Sequence, residues 1–90
     1  MITRKIKFLE FIEKAKEKNQ KYLGVLHESE DGDVTCMIYK NDFKNAISFY
    51  NNEYDNDMCS YDKKIKTTRA AYANSFDELE MKLFLKVEGR

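Results

Sequence analysis

The dipeptide Asp31-Gly32 is the strongest constraint that the sequence places on the fold. A two-residue type I′ turn needs positive φ angles at both central positions, and Asp-Gly tolerates them. Segments rich in β-branched and aromatic residues lie on both sides of this pair. The sequence therefore predicts a β-hairpin over residues 22–40.

The length of the turn decides which side chains of the hairpin share a face of the sheet. A two-residue turn pairs Val25 with Ile38 and His27 with Cys36, and a four-residue loop shifts the partners without changing the faces. Both alternatives predict one core face, which comprises Leu23, Val25, His27, Val34, Cys36 and Ile38. The opposite face is then a mixed surface of Tyr22, Leu26, Glu28, Asp33, Thr35, Met37 and Tyr39.

Apolar residues spaced by three and four predict helices around the hairpin. The first covers residues 4–19 and frays at its end, and the second covers residues 42–52 behind an N-cap at Asn41 or Asp42. A third strand over residues 65–73 is predicted less strongly because the segment is rich in alanine.

Two further features complete the predicted elements. Residues 52–60 are expected to break the second helix because Asp and Asn are poor residues for a helix interior, although the apolar spacing itself continues to Ile65. Ser75 and Glu78 form a capping box, which predicts a last helix over residues 76–87.

This order of elements predicts a single α+β domain over residues 1–90. The predicted sheet is small and antiparallel, is built on the 22–40 hairpin, and is packed on one face by about three helices. No apolar run approaches the ~20 residues of a membrane span, and the charged N-terminus does not resemble a signal peptide. With only two cysteines, Cys36 and Cys59, we expect free thiols and a cytoplasmic protein.

The segment 51-NNEYDNDMCSYDKK-64 concentrates acids, amides and tyrosines. Counted from Asn51, its acids Glu53, Asp55 and Asp62 fall at the third, fifth and twelfth positions of a calcium loop. Asn56 stands where the sharp turn of such a loop needs glycine, and the last acid is not Glu. We therefore expect a solvated acidic loop, with no metal and no cofactor.

The residues give little support for catalysis. A thiol beside an imidazole can act as a nucleophile with its base, and the predicted pairing brings Cys36 next to His27. Both lie on the expected core face without a third orienting group, so a buried structural cysteine is the preferred interpretation. The sequence also lacks a glycine-rich phosphate loop and the ligand spacing of a zinc site. We expect a protein that is not an enzyme.

Charge is balanced over the chain, with 16 basic and 16 acidic residues, but it is segregated locally. Residues 28–33 carry four acids and residues 53–57 carry three, without a base in either segment. Acids mixed with tyrosines are typical of protein contact surfaces, and charge patches orient a partner. The predicted partner-binding residues are Glu53, Tyr54, Asp55, Asp57, Tyr61, Glu30, Asp31 and Asp33.

These features predict a small protein-binding module. The short chain and its frequent use of residues that have AT-rich codons suggest an inhibitor from a phage or mobile element, directed at a host protein or defence complex. An anti-CRISPR protein, whose acidic patch occupies a basic nucleic-acid-binding surface, is one example of this type.

The alternative prediction is a small nucleic-acid-binding regulator. Basic residues cluster on the first helix and over residues 63–69, although Glu10, Glu13 and Glu17 dilute the charge of that helix. The residues that would contact phosphates are Lys7, Lys14, Lys18, Lys63, Lys64, Lys66 and Arg69. Either protein could be a monomer or a homodimer formed through the sheet.

Overall fold

A computed structural model describes residues 2–85 of the chain, with the side chain of Leu85 left out. Its elements are α1 (Arg4–Glu17), β1 (Tyr22–Ser29), β2 (Val34–Lys40), α2 (Phe43–Glu53), β3 (Ile65–Ala73) and α3 (Phe76–Glu80), which continues as a π-helical turn over Met81–Leu85. The strands form an antiparallel sheet in the order β2-β1-β3. The α+β class is confirmed, and β3 has the residues predicted for it.

The hairpin turn differs from both predicted turns because its loop contains three residues. The Ser29 N–H donates to the Asp33 carbonyl at 2.9 Å, and the Gly32 N–H donates to the Ser29 carbonyl at 2.9 Å. Gly32 has a φ of 91°, as expected where a type I turn is followed by a left-handed residue. The loop therefore consists of Glu30, Asp31 and Gly32.

With a three-residue loop, each side chain of β2 points to the opposite face of the sheet from the one that a two- or four-residue loop would give it. Val25 lies opposite Met37, and Leu26 lies opposite Cys36. The predicted face assignment of β2 is wrong for this reason, because a shift of one residue turns every side chain to the other side. Leu23, Val25 and His27 share a face with Thr35, Met37 and Tyr39, whereas Val34, Cys36 and Ile38 lie on the reverse.

The three helices are divided between the two faces of the sheet, which differs from the single covered face expected from the sequence. The α1 and α2 side is a cluster of Ile12, Ala15, Leu23, Val25, Phe43, Ala46, Tyr50, Tyr54 and Met58. The α3 side is a smaller cluster of Leu26, Ala71, Ala73, Leu79 and Leu83. The reason is that β1 carries the uninterrupted apolar run Leu23-Gly24-Val25-Leu26, so both of its faces need cover, and all four residues are buried.

Gly24 permits the close approach of α3 to the central strand. A Cβ atom at this position would lie 2.5 Å from Leu83 Cδ1 and 3.1 Å from Leu79 Cδ2. Both leucines are almost completely buried, at 2% and 1% exposure. The absence of a side chain at Gly24 is therefore what allows the second layer to pack against the sheet.

The ends of the helices follow their caps. The Thr3 hydroxyl accepts the Ile6 N–H at the start of α1. The end of α1 is ordered, contrary to the predicted fraying, because Asn19 takes a left-handed φ of 56° and the Gln20 N–H donates to the Ala15 carbonyl. The Ser75 hydroxyl accepts the Glu78 N–H as the capping box predicts.

The remaining helix predictions are confirmed in part. α2 ends at Glu53, where Tyr54 becomes extended, so the predicted break is present. The apolar spacing of the last helix predicts that Phe76, Leu79, Leu83, Phe84 and Val87 face inward. Leu79 and Leu83 are buried, whereas Phe76 and Phe84 are about half exposed. Residues 86 and 87 lie outside the described residues. No helix in the described part of the chain combines the length and the apolar character needed to cross a membrane.

Lys5 is a buried residue that the sequence pattern did not reveal. Its ammonium donates hydrogen bonds of 2.6 Å to the carbonyls of Asn51 and Tyr54, at the C-terminal end of α2. The Lys5 backbone N–H also donates to the Asn56 carbonyl. A cation is favourable at this end of a helix because the terminal carbonyls lack partners within the helix. Lys5 thus joins the start of α1 to the end of α2.

We expect Gly24→Ala to lower the free energy of unfolding by about 1–3 kcal/mol, because the new methyl group overpacks against Leu83. In a Leu83→Ala background, which is itself destabilised by about 2–5 kcal/mol, the same substitution should cost much less. Urea unfolding of the four proteins measures both costs. An equal cost in the two backgrounds would contradict the packing of α3 against Gly24.

We expect Lys5→Met to destabilise the protein by about 1–3 kcal/mol, because the Asn51 and Tyr54 carbonyls lose a donor while the side-chain volume is retained. Lys7→Met, at an exposed position of the same helix, is the matched control and should change stability by less than about 0.5 kcal/mol. Thermal and urea unfolding test the difference, and equal effects would show that the Lys5 hydrogen bonds contribute nothing.

Candidate functional site

The acidic segment after α2 is an ordered loop that pairs with β3. Tyr54 forms a β-bridge with Ser60, Cys59 forms another with Lys66, and the Thr67 N–H donates to the Met58 carbonyl at 3.1 Å. Met58 takes a positive φ of 61° although it is completely buried. The loop is therefore held in place by its pairing with β3 and by the buried Tyr54 and Met58, while most of its other side chains remain exposed.

Asp55 organises the first half of this loop. Its Oδ1 accepts the backbone N–H groups of Asp57 at 2.9 Å and Cys59 at 3.0 Å, and its Oδ2 pairs with the Lys63 ammonium. The hydrogen bond from Lys63, together with that from the Cys59 backbone, lowers the pKa of Asp55 to about 2. Because these contacts engage both carboxylate oxygens, the Asp55 side chain stabilises the conformation of its own loop.

Asp62 performs a similar role in the second half of the loop. Its Oδ1 accepts the Ser60 hydroxyl at 2.6 Å and the Lys64 N–H at 3.0 Å, and the Ser60 hydroxyl in turn accepts the Ile65 N–H. The Ser60 hydrogen bond, followed by that of the Lys64 backbone, lowers the pKa of Asp62. Two of the acids counted in the calcium-loop pattern are thus engaged by the chain itself.

Of the predicted partner-binding residues in this segment, only three present their side chains at the surface. Glu53, Asp57 and Tyr61 are exposed, and Tyr61 has 63% of its surface accessible. Tyr54 is 4% exposed and packs against Tyr50 and Phe49. Its alternation with the acids along the chain suggested a surface residue, but the end of α2 turns it into the core.

The second acidic group lies beside this loop. Glu30, Asp31 and Asp33 are exposed in and next to the hairpin turn. The Glu30 N–H donates to the Lys64 carbonyl at 2.8 Å, which joins the turn to the loop. The two acidic segments, more than twenty residues apart in sequence, therefore meet at one end of the sheet, hereafter the turn end.

The basic residues over 63–69 are divided between the two faces of the sheet, and two of them lie beside acids. Lys63 pairs with Asp55, and Lys66 lies 3.9 Å from Glu28. Arg69 points to the other face, where its Nη1 donates to the Leu83 carbonyl at 3.1 Å. Only Lys64 in this segment has no ion pair or side-chain hydrogen bond among the described residues.

The lysines of α1 lie on exposed positions. Lys7 and Lys14 are exposed, and Lys18 donates to the Tyr72 hydroxyl at 3.3 Å while its ammonium lies 5.6 Å from the centre of the Tyr72 ring. The exposed acids Glu10, Glu13 and Glu17 stand on the same helix. The predicted phosphate-binding residues thus lie on separate surfaces, many of them beside acids.

An apolar groove of about 240 Å³ opens on the α1 and α2 face at the turn end. It exists because α2 stops at Glu53 and leaves this end of the face uncovered. Its walls are His27, Ser29, Asp33, Thr35, Met37, Phe49, Tyr54 and Ile65. Met37, Phe49 and Ile65 keep 42%, 42% and 38% of their surfaces exposed, so the groove offers apolar side chains to a partner.

The groove was not predicted from the sequence, because it depends on the register of β2 and on where α2 ends. One signal was available. Phe49 stands outside the buried stripe of α2, which runs through Phe43, Ala46 and Tyr50. A single exposed aromatic residue is common, and Phe49 becomes informative only because the fold brings the exposed Met37 and Ile65 into the same groove.

His27 forms the inner wall of the groove and belongs to a chain of hydrogen bonds. The Tyr39 hydroxyl donates to that of Tyr50 at 3.1 Å, and the Tyr50 oxygen lies 2.9 Å from His27 Nε2. Burial lowers the pKa of His27, although the neighbouring Thr35 backbone acts in the opposite direction. Burial also raises the pKa of Tyr50 strongly. The arrangement favours a neutral imidazole held in place by Tyr50.

The structure separates His27 from Cys36, which the two-residue turn had paired. Cys36 lies opposite Leu26 on the α3 face, and burial raises the pKa of its thiol. A nucleophile and its base must share a face to exchange a proton, so these two residues do not form such a pair. Both cysteines are free thiols, as expected.

Within residues 2–85 no group of three or more histidine, cysteine or acidic side chains is arranged to hold a metal ion. Comparisons of the chain with protein-family models, with curated proteins and with solved structures find no match.

We expect the protein to lose stability as the pH falls from about 4 to 2, in part through Asp55. Its pKa is lower in the folded state than the usual value, so its contribution is complete above the usual pKa near 3.9 and is lost as Asp55 becomes protonated. Urea midpoints measured between pH 2 and 7 should depend less on pH in Asp55→Asn than in the parent protein.

Asp57→Asn is the matched control for this measurement. Asp57 is exposed, and its carboxylate makes no hydrogen bond among the described residues. This variant should keep the acid-dependent loss of the parent. If the urea midpoint of Asp55→Asn changes with pH in the same way as those of the parent protein and Asp57→Asn, the stability of the loop does not depend on the Asp55 carboxylate.

Proposed function

We propose that the protein is a non-enzymatic protein-binding module whose contact surface is the turn end of the sheet. The observation that carries this proposal is the apolar groove between Phe49 and Met37, which adjoins the acidic hairpin turn. An apolar pocket with a charged rim is a common arrangement of protein contact sites.

The groove provides the anchoring part of the surface. It is open, and its exposed walls come from three different elements, with Met37 on β2, Phe49 on α2 and Ile65 on β3. Tyr54 and His27 are fixed from behind by packing and by the Tyr50 hydroxyl. A rigid apolar wall of this size accepts one large side chain of a partner at little cost in conformational entropy.

The rim provides orientation. Asp33 lies in the groove wall, Glu30 and Asp31 occupy the adjacent turn, and Tyr61 is exposed on the loop joined to that turn. This combination suits a partner segment that carries an aromatic or aliphatic side chain next to lysine or arginine. Charges at a rim act chiefly on the association rate and on orientation.

As to biological role, we propose an inhibitor of phage or mobile-element origin, acting in the cytoplasm. Its target would be a host protein or defence complex with a basic nucleic-acid-binding surface, as in the anti-CRISPR type of inhibition. The acidic turn would cover basic residues of that surface while the groove holds one of its apolar side chains. The separation of His27 from Cys36 supports a role without catalysis.

A nucleic-acid-binding role receives less support from the geometry. In the 63–69 segment Lys63 and Lys66 lie beside acids and Arg69 contacts a carbonyl on the other face, which leaves only Lys64 without such a contact among the described residues. Phosphate binding needs several basic side chains on one unopposed surface. Lys7 and Lys14 of α1 would have to carry most of that interaction.

The test is affinity capture from bacterial lysate, with and without nuclease, using the parent protein and matched pairs of variants. Ile65→Lys places a charge in the groove, and Ile6→Lys makes the same change at a similarly exposed isoleucine outside it. A double variant, Glu30→Lys with Asp31→Lys, reverses the charge of the turn. Its control is a second double variant, Glu13→Lys with Glu17→Lys, which makes the same change of charge on α1.

We expect a stoichiometric protein that survives nuclease and salt, is lost with Ile65→Lys and is retained with Ile6→Lys. The groove change should weaken the purified complex at least about tenfold, as loss of an anchoring contact does. The turn variant should slow association more than the α1 variant. Capture of nucleic acid alone, lost at moderate salt, would overturn the proposal, as would equal binding by all variants.

A further inference from the structure

The outer edge of β2 is the unpaired edge of the sheet within residues 2–85. β2 pairs with β1 on one side only, and no described strand lies on the other. The opposite edge, β3, is different because Cys59 bridges to Lys66 and Met58 accepts the Thr67 N–H. Among the described residues, the loop thus covers the start of β3 at residues 65–67, whereas no strand pairs with the outer edge of β2.

The hairpin register identifies which backbone groups of β2 point outward. The Ser29 N–H donates to Asp33, and the Asn41 N–H donates to Lys21, so these are hydrogen-bonded pairs at the two ends of the ladder. Antiparallel pairs alternate in type, so every odd-numbered residue between 33 and 41 directs its backbone groups to β1. The N–H and C=O groups of Val34, Cys36, Ile38 and Lys40 therefore point away from the sheet.

β2 also lacks the features that protect the edge strands of monomeric proteins. Residues 34–39, VTCMIY, contain no charge and no proline, and the bulge of this sheet lies between β1 and β3. Val34, Met37 and Ile38 are 61%, 42% and 41% exposed, so both faces of the edge carry accessible apolar surface. An edge of this kind favours the addition of another strand.

We infer that this edge pairs with the same edge of a second copy, giving a two-fold symmetric dimer with a continuous six-stranded antiparallel sheet. One register uses all four outward residues of each copy. It pairs Val34 with Lys40 and Cys36 with Ile38 of the other copy, and it places Met37 opposite itself on the two-fold axis.

Charge favours this antiparallel self-pairing. β2 is preceded by the acids of the turn, ending at Asp33, and it ends with Lys40, so each strand has an acidic start and a basic finish. In the proposed register Asp33 of one copy lies opposite Asn41 of the other, so the acidic end of each strand lies beside the basic end of its partner. A parallel arrangement would bring like charges together at both ends.

The pairing shares Met37 with the groove, because Met37 is a groove wall and also lies on the two-fold axis, but it does not rest on the proposed function. Opposite residues in a sheet lie on the same face, so both grooves open on one side of the dimer, on either side of the axis. A monomeric protein could still bind a partner, and a dimer could form without one. The two proposals therefore fail in different experiments.

The first measurement is the oligomeric state, by sedimentation equilibrium over a wide range of concentration. We expect a dimer, with twice the 10.7 kDa mass of the chain. Ile38→Pro removes an outward N–H and leaves the hydrogen bonds to β1 in place. This substitution should raise the dissociation constant of the dimer roughly thirtyfold, because the two-fold symmetric interface loses the Ile38 N–H hydrogen bond of each copy. A parent protein that is monomeric throughout would overturn the proposal.

The register is tested with single cysteines in a Cys36→Ser, Cys59→Ser background, which remains informative if Ile38→Pro fails to fold. Residues opposite each other in a non-hydrogen-bonded pair have Cα atoms roughly 4.5 Å apart, within the range of a disulfide. Met37→Cys should therefore cross-link two copies rapidly in air. Val34→Cys is the control, because Val34 is more exposed but faces Lys40 of the other copy.

Cross-linking of Val34→Cys as fast as Met37→Cys would overturn the register and the two-fold axis at Met37. Amide hydrogen exchange tests whether the edge of β2 is covered by another part of the same chain instead of a second copy. The N–H groups of Val34, Cys36, Ile38 and Lys40 should be protected more strongly as the protein concentration rises. Strong protection of these groups in a monomer would show that another part of the same chain covers β2, and the proposal would be wrong.

Discussion

The three-residue hairpin loop is the constraint on which the rest of the structure depends. Its closing bonds, from Ser29 to Asp33 and from Gly32 to Ser29, fix the register of β2 against β1. That register places Met37 and Thr35 on the α1 and α2 face, where they become walls of the groove. It also turns the backbone groups of the even-numbered residues of β2 outward. A loop one residue shorter would exchange the two faces and separate Met37 from Phe49.

The turn end gathers its residues by backbone contacts more than by attraction between charges. The hairpin turn is tied to the following loop by the Glu30 to Lys64 bond, and that loop is shaped from within by Asp55 and Asp62. Acids that look alike in the sequence thus have two roles. Asp55 and Asp62 hold backbone N–H groups, whereas Asp57 and Asp31 remain exposed to solvent. Only the second kind has a carboxylate without hydrogen bonds among the described residues, although Asp62 is also exposed.

Buried polar groups join the layers of the domain. Lys5 fastens the start of α1 to the carbonyl end of α2, and Tyr50 connects β1 to β2 through His27 and Tyr39. Each contact is costly to lose, because its partners would stay buried without a donor or an acceptor. The same groups hold the inner wall of the groove, so its shape is set by contacts that also stabilise the core.

The sequence by itself determined the elements, since apolar spacing, the Ser75 cap and the Asp31-Gly32 turn are local signals. The α+β class, the break after α2 and the bounds of β3 followed from them. The tertiary structure decided what depends on contacts distant along the chain. These are the three-residue length of the turn loop, the division of the helices between the two faces of the sheet, the burial of Lys5 and Tyr54, and the groove itself. The physical reason is that a one-residue change of register leaves local propensities the same but moves every side chain of a strand to the other face.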